Sequence, residues 1–108
     1  MSDIVFIYTS APDVETAKII ARAAVEERLA ACANILPHME SIYRWKGKIE
    51  EAREVVLILK TRAVLFDKLE ARIKALHPYE CPCIISLPLA CGSSDYLAWI
   101  RAATGEAG

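Results

Sequence analysis

The sequence predicts an α+β sandwich in which helices pack on one face of an antiparallel sheet. Three observations carry this prediction: apolar runs of strand length, segments whose apolar residues recur with helical spacing, and one long pair of strands joined by a short turn. Together they give the order β-α-β-β-α-β with an added C-terminal helix, and that order is the signature of the ferredoxin-like fold. At 108 residues the chain is expected to be one domain, residues 1–108.

The first strand and the first helix are marked by a change of hydrophobic period. Ile4 to Thr9 is almost wholly apolar, as expected of a strand that is covered on both faces. Pro12 then interrupts the pattern, and Ser10 or Asp13 can cap the helix that follows. From Val14 to Leu29 the apolar positions recur with helical spacing, which predicts an amphipathic helix.

Two β-rich segments predict a hairpin that is longer than the domain it belongs to. Ala31 to Trp45 and Ile49 to Thr61 are its strands, joined at Lys46-Gly47-Lys48. Pro37 cannot donate to a ladder and therefore marks an edge or a bulge. A strand of 13 residues at about 3.3 Å each spans roughly 43 Å, whereas a compact body of this length is about 34 Å across. The tip must project or pair with another chain.

The second half of the chain predicts another helix and strand. Arg62 to Leu76 has a helical apolar face, and two prolines make the segment after it irregular. Cys83 to Leu89 is the expected fourth strand. Ser93 is the expected cap of a last helix over Asp95 to Ala103.

The central strand indicates that both faces of the sheet require burial. Val55 to Leu59 is an unbroken apolar run, whereas an antiparallel sheet in a monomer presents one polar face. Together with the overlong hairpin, this pattern predicts an oligomer.

Composition and charge exclude several classes of function. Lys and Arg number 13 against 14 Asp and Glu, for a net charge of −1, so no basic surface exists for nucleic acid or for an anionic membrane. No apolar run approaches the roughly 18–20 residues that span a bilayer. The N-terminus Met1-Ser2-Asp3 is acidic, so we expect no signal peptide and a cytoplasmic protein.

Four cysteines in such a chain do not predict a disulfide framework. No Cys-x-x-Cys spacing occurs, which excludes a thioredoxin-like motif or a zinc ribbon. Cys32 and Cys91 are expected to pack as small buried hydrophobes.

Five segments have the residues, order and spacing of one known family: Glu27–Pro37, Ser41–Ile49, Leu59–Thr61, His77–Glu80 and Tyr96–Ile100. From about Ile4 to Ile100 the chain thereby resembles the CutA family of divalent-cation-tolerance proteins. The resemblance implies a ferredoxin-like fold assembled as a trimer, similar in architecture to the PII signalling proteins. It also implies a cytoplasmic protein associated with copper and other divalent metals. No established reaction accompanies the family, so we expect no enzyme.

The resemblance further implies a metal position made by a thiol in the first loop and a histidine before a Pro-Tyr segment. His77 matches that histidine. Thr9 stands where some members have cysteine, and Leu76 stands where a second histidine can occur, so the chain departs from the pattern at two of three positions.

Nearby thiols can compensate for this departure. Cys81 and Cys83 are separated by one residue and would face the same side if the fourth strand begins there. Two thiolates and an imidazole suit copper(I) or zinc, so His77, Cys81 and Cys83 are the predicted metal ligands. The alternative is that one thiol packs inward and that His77 caps a turn. The other histidine, His38, is expected to be a solvent-facing residue of the bulge.

An aromatic and polar group forms a second candidate surface, either a subunit interface or a small-ligand cleft between subunits. Tyr and Trp are favoured at interfaces because they bury a large area and keep a polar tip. Trp45 at the hairpin tip is difficult to bury within one subunit, so we expect it against a neighbouring chain. The group comprises Tyr43, Trp45, Lys60, Tyr79, Glu80, Tyr96 and Trp99.

The residues that three other functions of ferredoxin-like domains require are missing from the corresponding positions of this sequence. The loop from Tyr8 to Pro12 has neither the thiols of a copper chaperone nor the arginine of an acylphosphatase, and the central strands lack the aromatics of an RNA-binding module.

Three hypotheses therefore stand. The leading one is a non-enzymatic, trimeric, metal-binding protein. The alternative is a PII-like sensor of a small anionic ligand held in intersubunit clefts. The third is an enzyme that uses a thiolate pair of Cys83 and His77.

Overall fold

Within residues 3–105, four strands form one antiparallel sheet, and three α-helices pack on it. The computed structural model describes residues 3–105, so Met1 and Ser2, on which the absence of a signal peptide was predicted, lie outside it. The spatial order of the strands is β2-β3-β1-β4, with antiparallel neighbours throughout. The predicted α+β class and the predicted element order are confirmed. The elements are β1 (Ile4–Ala11), α1 (Val14–Glu26), β2 (Cys32–Trp45), β3 (Lys48–Arg62), α2 (Phe66–Leu76), β4 (Ile84–Pro88) and α3 (Ser94–Ala103).

Helix α1 begins where predicted and ends early. The Asp13 carboxylate accepts a hydrogen bond from the Thr16 N–H at 2.7 Å, which makes Asp13 the N-cap. The helix ends at Glu26 instead of at the predicted Leu29. The reason is Arg28, whose φ of 61° is left-handed and turns the chain back toward the core.

The main core lies between one face of the sheet and helices α1 and α2. Alternate residues of β1 and β3 point to this face, as expected of a pleated strand. Full burial of each such aliphatic side chain stabilises the fold by about 1.5–3 kcal/mol. The buried residues of this cluster include Val5, Ile7, Ile20, Leu57, Leu59, Leu69 and Ile73.

Helix α2 begins later than predicted. Arg62 continues β3, and a 3-10 turn over Ala63–Leu65 precedes the helix. The guanidinium of Arg62 donates to the hydroxyl and to the carbonyl of Thr104, both at 2.9 Å. These bonds join the end of β3 to the end of α3, which favours the extended backbone at Arg62.

Helix α3 packs on the opposite face of the sheet, whereas the sequence predicted the helices on one face. Ile100 is fully buried against Ile4 and Ala31, in a small core separate from the main one. Its N-cap is Ser93 as predicted, although no side-chain bond forms there. The predicted burial of Cys91 is wrong, since Cys91 is exposed in the loop before α3, and Cys32 is half-buried at the start of β2.

The rest of this second face remains open and apolar. Helix α3 covers only one end of it, and Leu36, Ile85 and Leu87 are 47%, 50% and 46% exposed. Val56 and Ile58 of the central strand lie half-buried on the same face. The apolar run from Val55 to Leu59 predicts that both faces of the sheet are buried. A single chain therefore does not provide all of this burial.

The hairpin of β2 and β3 projects from the body as an arm. The protein measures 48 × 26 × 23 Å, so the predicted overreach is present. The strands turn through Lys46 and Gly47, whose φ values of 49° and 81° fit a two-residue hairpin turn. Strand β2 lies at the sheet edge, and its register shifts between Leu36 and Met39, which confirms the bulge expected at Pro37.

Candidate functional site

A cavity of about 770 Å³ lies between the arm and the segment that follows α2. We call it the arm cleft. Strand β1 contributes the part nearest the body, and the two sides come from the arm and from residues 78–83. Its lining includes Tyr8, Ser10, Met39, Glu40, Tyr43, Trp45, Glu54, Tyr79, Glu80, Cys81 and Cys83.

His77 fixes the segment after α2 to the body. Its ring is 8% exposed, and Nε2 lies 2.6 Å from the Ser10 carbonyl oxygen. The Tyr79 N–H donates to Nδ1 at 3.1 Å. Both contacts are satisfied only by a neutral ring that carries its proton on Nε2. Metal binding by His77 would replace one of these bonds.

Tyr79 and Glu54 join the two sides of the arm cleft. The Tyr79 hydroxyl donates to Glu54 Oε2 at 2.8 Å, and the Ser10 hydroxyl donates more weakly to the same oxygen at 3.4 Å. Burial, followed by the hydrogen bond to Glu54 and the charge of that carboxylate, raises the pKa of the Tyr79 phenol. The phenol therefore stays protonated and remains a donor.

Both cysteines of the predicted metal set line the arm cleft. Cys81 is exposed, Cys83 is half-buried, and β4 begins only at Ile84, after both thiols. Burial raises the pKa of the Cys83 thiol, and the charges of Glu54 and Cys81 raise it further. A metal ion must therefore displace a proton to bind Cys83.

The predicted ligands lie in one segment, but they are not arranged as a finished metal centre. Within residues 3–105, no group of three or more His, Cys, Asp or Glu side chains is placed to hold a metal ion. Ligation by His77, Cys81 and Cys83 stays a prediction.

The two positions at which the chain departs from the family pattern lie away from the arm cleft. Thr9 is fully buried, and its hydroxyl has no hydrogen-bond partner among the described residues. It alternates with Tyr8 and Ser10, which line the cleft, so it points to the helix-covered face of the sheet. Leu76 packs against the main core.

The predicted aromatic and polar group divides between two places. Tyr43, Trp45, Tyr79 and Glu80 line the arm cleft, and Trp45 is 38% exposed. The remaining three members lie on the other end of the sheet, beside α3. There the Lys60 ammonium donates to the Tyr96 hydroxyl at 3.1 Å, and the rings of Tyr96 and Trp99 are 5.6 Å apart.

Glu54 is the residue of the arm cleft that the sequence analysis missed. Its carboxylate accepts hydrogen bonds from the hydroxyls of Ser10 and Tyr79, and it helps to raise the pKa of Tyr79 and of Cys83. One signal was available, since Glu54 is the last charged residue before the apolar run of β3.

A family model described as "CutA1 divalent ion tolerance protein" matches residues 5–103. The chain belongs to this family. The resemblance found in the sequence is thereby confirmed, and the CutA1 family is named for tolerance of divalent ions, not for a catalysed reaction.

Relatives and solved structures agree with membership of the CutA1 family. The divalent-cation tolerance protein CutA of Thermus thermophilus is 50% identical over 105 residues, which cover 97% of this chain and all of that protein. The chloroplastic CutA of Arabidopsis thaliana is 41% identical over 100 residues, covering 93% of this chain and 55% of that protein. The crystal structure of CutA from Xylella fastidiosa, 44% identical, superposes with a TM-score of 0.93 over 95% of this chain and 99% of that one.

The described helices do not resemble membrane spans. None within residues 3–105 combines the length and the apolar character that crossing a bilayer requires.

Proposed function

We propose that this chain is a homotrimeric divalent-cation-tolerance protein that binds copper or another divalent metal in response to metal ions and catalyses no reaction. One observation carries the metal part of the proposal. The thiols of Cys81 and Cys83 share the arm cleft with the Glu54 carboxylate, and none of the described Lys or Arg residues lines it. Thiols suit copper(I) and zinc, and the negative surroundings favour a cation.

The residues fit a soft cation at the thiols better than at the imidazole. Cys81 and Cys83 are free thiols, so each of them has to lose only its proton in order to bind a metal ion. His77 would have to give up a bond to Ser10 or to Tyr79, both of which hold the segment in place. The proposal therefore assigns the two thiols as the main ligands, with His77 as a third.

A competition titration with copper(I) tests the metal proposal. The double variant Cys81→Ser, Cys83→Ser should lose most copper(I) affinity and keep the assembly mass. Cys91→Ser is the matched control, because Cys91 is also an exposed thiol but lies outside the arm cleft. Unchanged copper(I) affinity in the double variant would mean that the thiols are bystanders.

The same proposal includes the assembly. The strand order β2-β3-β1-β4 with two β-α-β units supports a ferredoxin-like fold. The open apolar part of the second sheet face and the projecting arm supply the surface that a PII-like trimer would cover. Stable assemblies of this kind commonly bury more than about 2,000 Å² in total.

Two further parts of the proposal concern ligand charge and location. The arm cleft disfavours a small anionic ligand because of Glu54, since the other two glutamates that line it, Glu40 and Glu80, are paired with Arg53 at 3.4 Å and with Lys46 at 3.7 Å. Four free thiols support a reducing compartment, for which we propose the cytoplasm. Since the Arabidopsis relative is named chloroplastic, fractionation of the source cells with immunodetection is the test of location.

A further inference from the structure

Cys81 and Cys83 are a pair of thiols with a single residue between them. Both line the arm cleft, whereas Cys32 lies at the start of β2 and Cys91 lies in the loop before α3. Cys81 is exposed, Cys83 is half-buried, and both are free. Two free thiols in one cleft can react with each other as well as with a metal ion.

The residue between the two thiols keeps them within reach of a disulfide bond. A proline holds φ near about −65° and favours the polyproline conformation, which rises about 3.1 Å per residue. The Cα atoms on either side of Pro82 are therefore expected roughly 6 Å apart, and a disulfide joins residues whose Cα atoms are about 4.4–6.8 Å apart. Residues 81–83 belong to no helix or strand, since β4 begins at Ile84, so the backbone there can adjust without breaking a ladder.

The surroundings of the two thiols give them different tasks. The charge of Cys81 helps to raise the pKa of the Cys83 thiol, after burial and the charge of Glu54, which agrees with two sulfurs that lie close together. Redox-sensing cysteines are accessible to solvent and have a second cysteine beside them. Cys81 is the accessible thiol, and the half-buried Cys83 is the neighbour that completes a disulfide.

The two thiols lie on the side of the arm cleft opposite the arm. The proposed trimer covers the arm and the open apolar face of the sheet, whereas Cys81 and Cys83 belong to the segment between α2 and β4. A hydroperoxide is a small molecule that has to reach only one sulfur, and Cys81 is exposed. The reaction therefore needs none of the surface that the assembly uses.

We propose that Cys81 and Cys83 are a redox site at which a hydroperoxide forms an intrachain disulfide. With hydrogen peroxide, the Cys81 sulfur forms an S–O bond, the O–O bond breaks, and the displaced oxygen leaves as water with the thiol proton. The Cys83 sulfur then attacks the Cys81 sulfur, so that the S–S bond forms, the S–O bond breaks, and a second water leaves with the Cys83 proton. The two thiols are oxidised, and the peroxide is reduced to water.

The disulfide switches off the proposed metal site. Oxidation removes both thiolate ligands and so releases the metal ion, and a bound metal ion in turn protects both sulfurs. An exposed disulfide is readily reduced by the thiols of a reducing compartment, so the site recovers. This regulatory link rests on the proposed function, whereas the formation of the disulfide does not.

Oxidation of the assembled, metal-free protein by hydrogen peroxide tests the redox site. The variant Cys32→Ser, Cys91→Ser keeps Cys81 and Cys83 as its two thiols. After mild oxidation and denaturation in N-ethylmaleimide, its intact mass should be about 2 Da below that of the reduced protein, with no alkylation. Treatment with dithiothreitol should restore alkylation at both sulfurs.

Single changes in the same background are the matched controls. In Cys83→Ser the sulfenic acid of Cys81 has no neighbour to condense with, so dimedone should trap it at least about tenfold more than in the parent. In Cys81→Ser the half-buried Cys83 should be oxidised at least about threefold more slowly than Cys81 is in the converse variant. If Cys83→Ser lowers the melting temperature, Cys83→Ala removes the same thiol without burying a hydroxyl.

Zinc tests the link to the metal site, because Zn²⁺ binds thiolates and has no redox chemistry of its own. Saturating zinc should slow the oxidation of the pair at least about tenfold, and prior oxidation should weaken zinc binding at least about tenfold. If the disulfide forms but zinc neither protects the thiols nor binds less tightly after oxidation, the redox site stands and the metal proposal fails.

The redox site is overturned by any of three results. One is a pair that stays fully open to alkylation after exposure to peroxide, as when the assembly buries Cys81. Another is a disulfide between chains, which doubles the mass measured without reductant. The third is a gain of mass from sulfinic or sulfonic acid that dithiothreitol does not reverse.

Discussion

The imidazole of His77 donates from Nε2 to the main-chain carbonyl of Ser10 at 2.6 Å, across 67 positions of sequence. This bond joins the segment after α2 to β1, and it orients that segment over the arm. Tyr79, held by the other ring nitrogen, then reaches Glu54. The arm cleft therefore depends on one buried imidazole for its shape.

His77→Asn should lower the free energy of unfolding by about 1–3 kcal/mol, because it leaves a buried carbonyl and an N–H without partners. Urea denaturation provides the measurement. His38→Asn is the control, since His38 is exposed with a φ of 70°, which Asn tolerates, and should change stability by less than about 0.5 kcal/mol. Equal stability of the two variants would contradict a structural role for His77.

Trp45→Ala should destabilise the proposed trimer by about 3–5 kcal/mol, since the proposal packs the indole against a neighbouring chain. Sedimentation equilibrium and thermal melting provide the measurements. Ile19→Ala on the outer surface of α1, where Ile19 is 55% exposed, is the control. A wild-type mass near that of one chain, or an unchanged melting temperature in Trp45→Ala, would argue against the interface.

Glu54→Gln should make Cys83 more reactive. Burial is the first cause of the raised pKa of this thiol and Glu54 is the second, so removing the charge lowers the pKa and increases the thiolate fraction. In a Cys81→Ser background, alkylation of Cys83 by iodoacetamide at pH 8 should accelerate at least about twofold. Glu51→Gln should leave the rate unchanged, and an equal rate in both variants would remove Glu54 as a cause.

Stability should fall as pH rises above about 9, because Tyr79 and Cys83 are acids whose pKa is raised in the folded state. The unfolded chain loses these protons first, so between the unfolded and folded pKa values it binds fewer protons than the folded chain does. Tyr79→Phe should reduce this alkaline loss. The measurement is the free energy of unfolding at pH 7 and at pH 10. An equal loss of this free energy between the two pH values in Tyr79→Phe and in the wild type would contradict the assignment.

Local signals made most of the fold predictable. Lys46-Gly47 fixes the turn, Pro37 marks the bulge, and the apolar run of β3 requires two covered faces. The face of the sheet on which α3 packs was not predictable, because an amphipathic pattern does not specify which sheet face the helix covers. The early end of α1 depends on a left-handed Arg28, a position without the usual glycine signal.

The candidate site was predictable only in part. The sequence identified the thiols and aromatic rings as candidate residues by their type, and the prolines of the segment after α2 identified that segment as irregular. The bond from Tyr79 to Glu54 joins residues 25 positions apart, and it requires the fold of an irregular segment that no periodic pattern describes.

The bulge of β2 determines on which side of the arm each later side chain lies. Leu36 pairs with Val56, but Met39 pairs with Glu54, so β2 uses one residue more than β3 over this interval. Even-numbered residues before the bulge and odd-numbered residues after it thus point to the same side. Because of this extra residue, Tyr43 and Trp45 lie on the same side of the sheet as Leu36. Deleting His38 would move Tyr43 and Trp45 to the other side of the arm and bring Arg44 to the side that they now occupy, which would put a cation beside the cleft in place of aromatic rings.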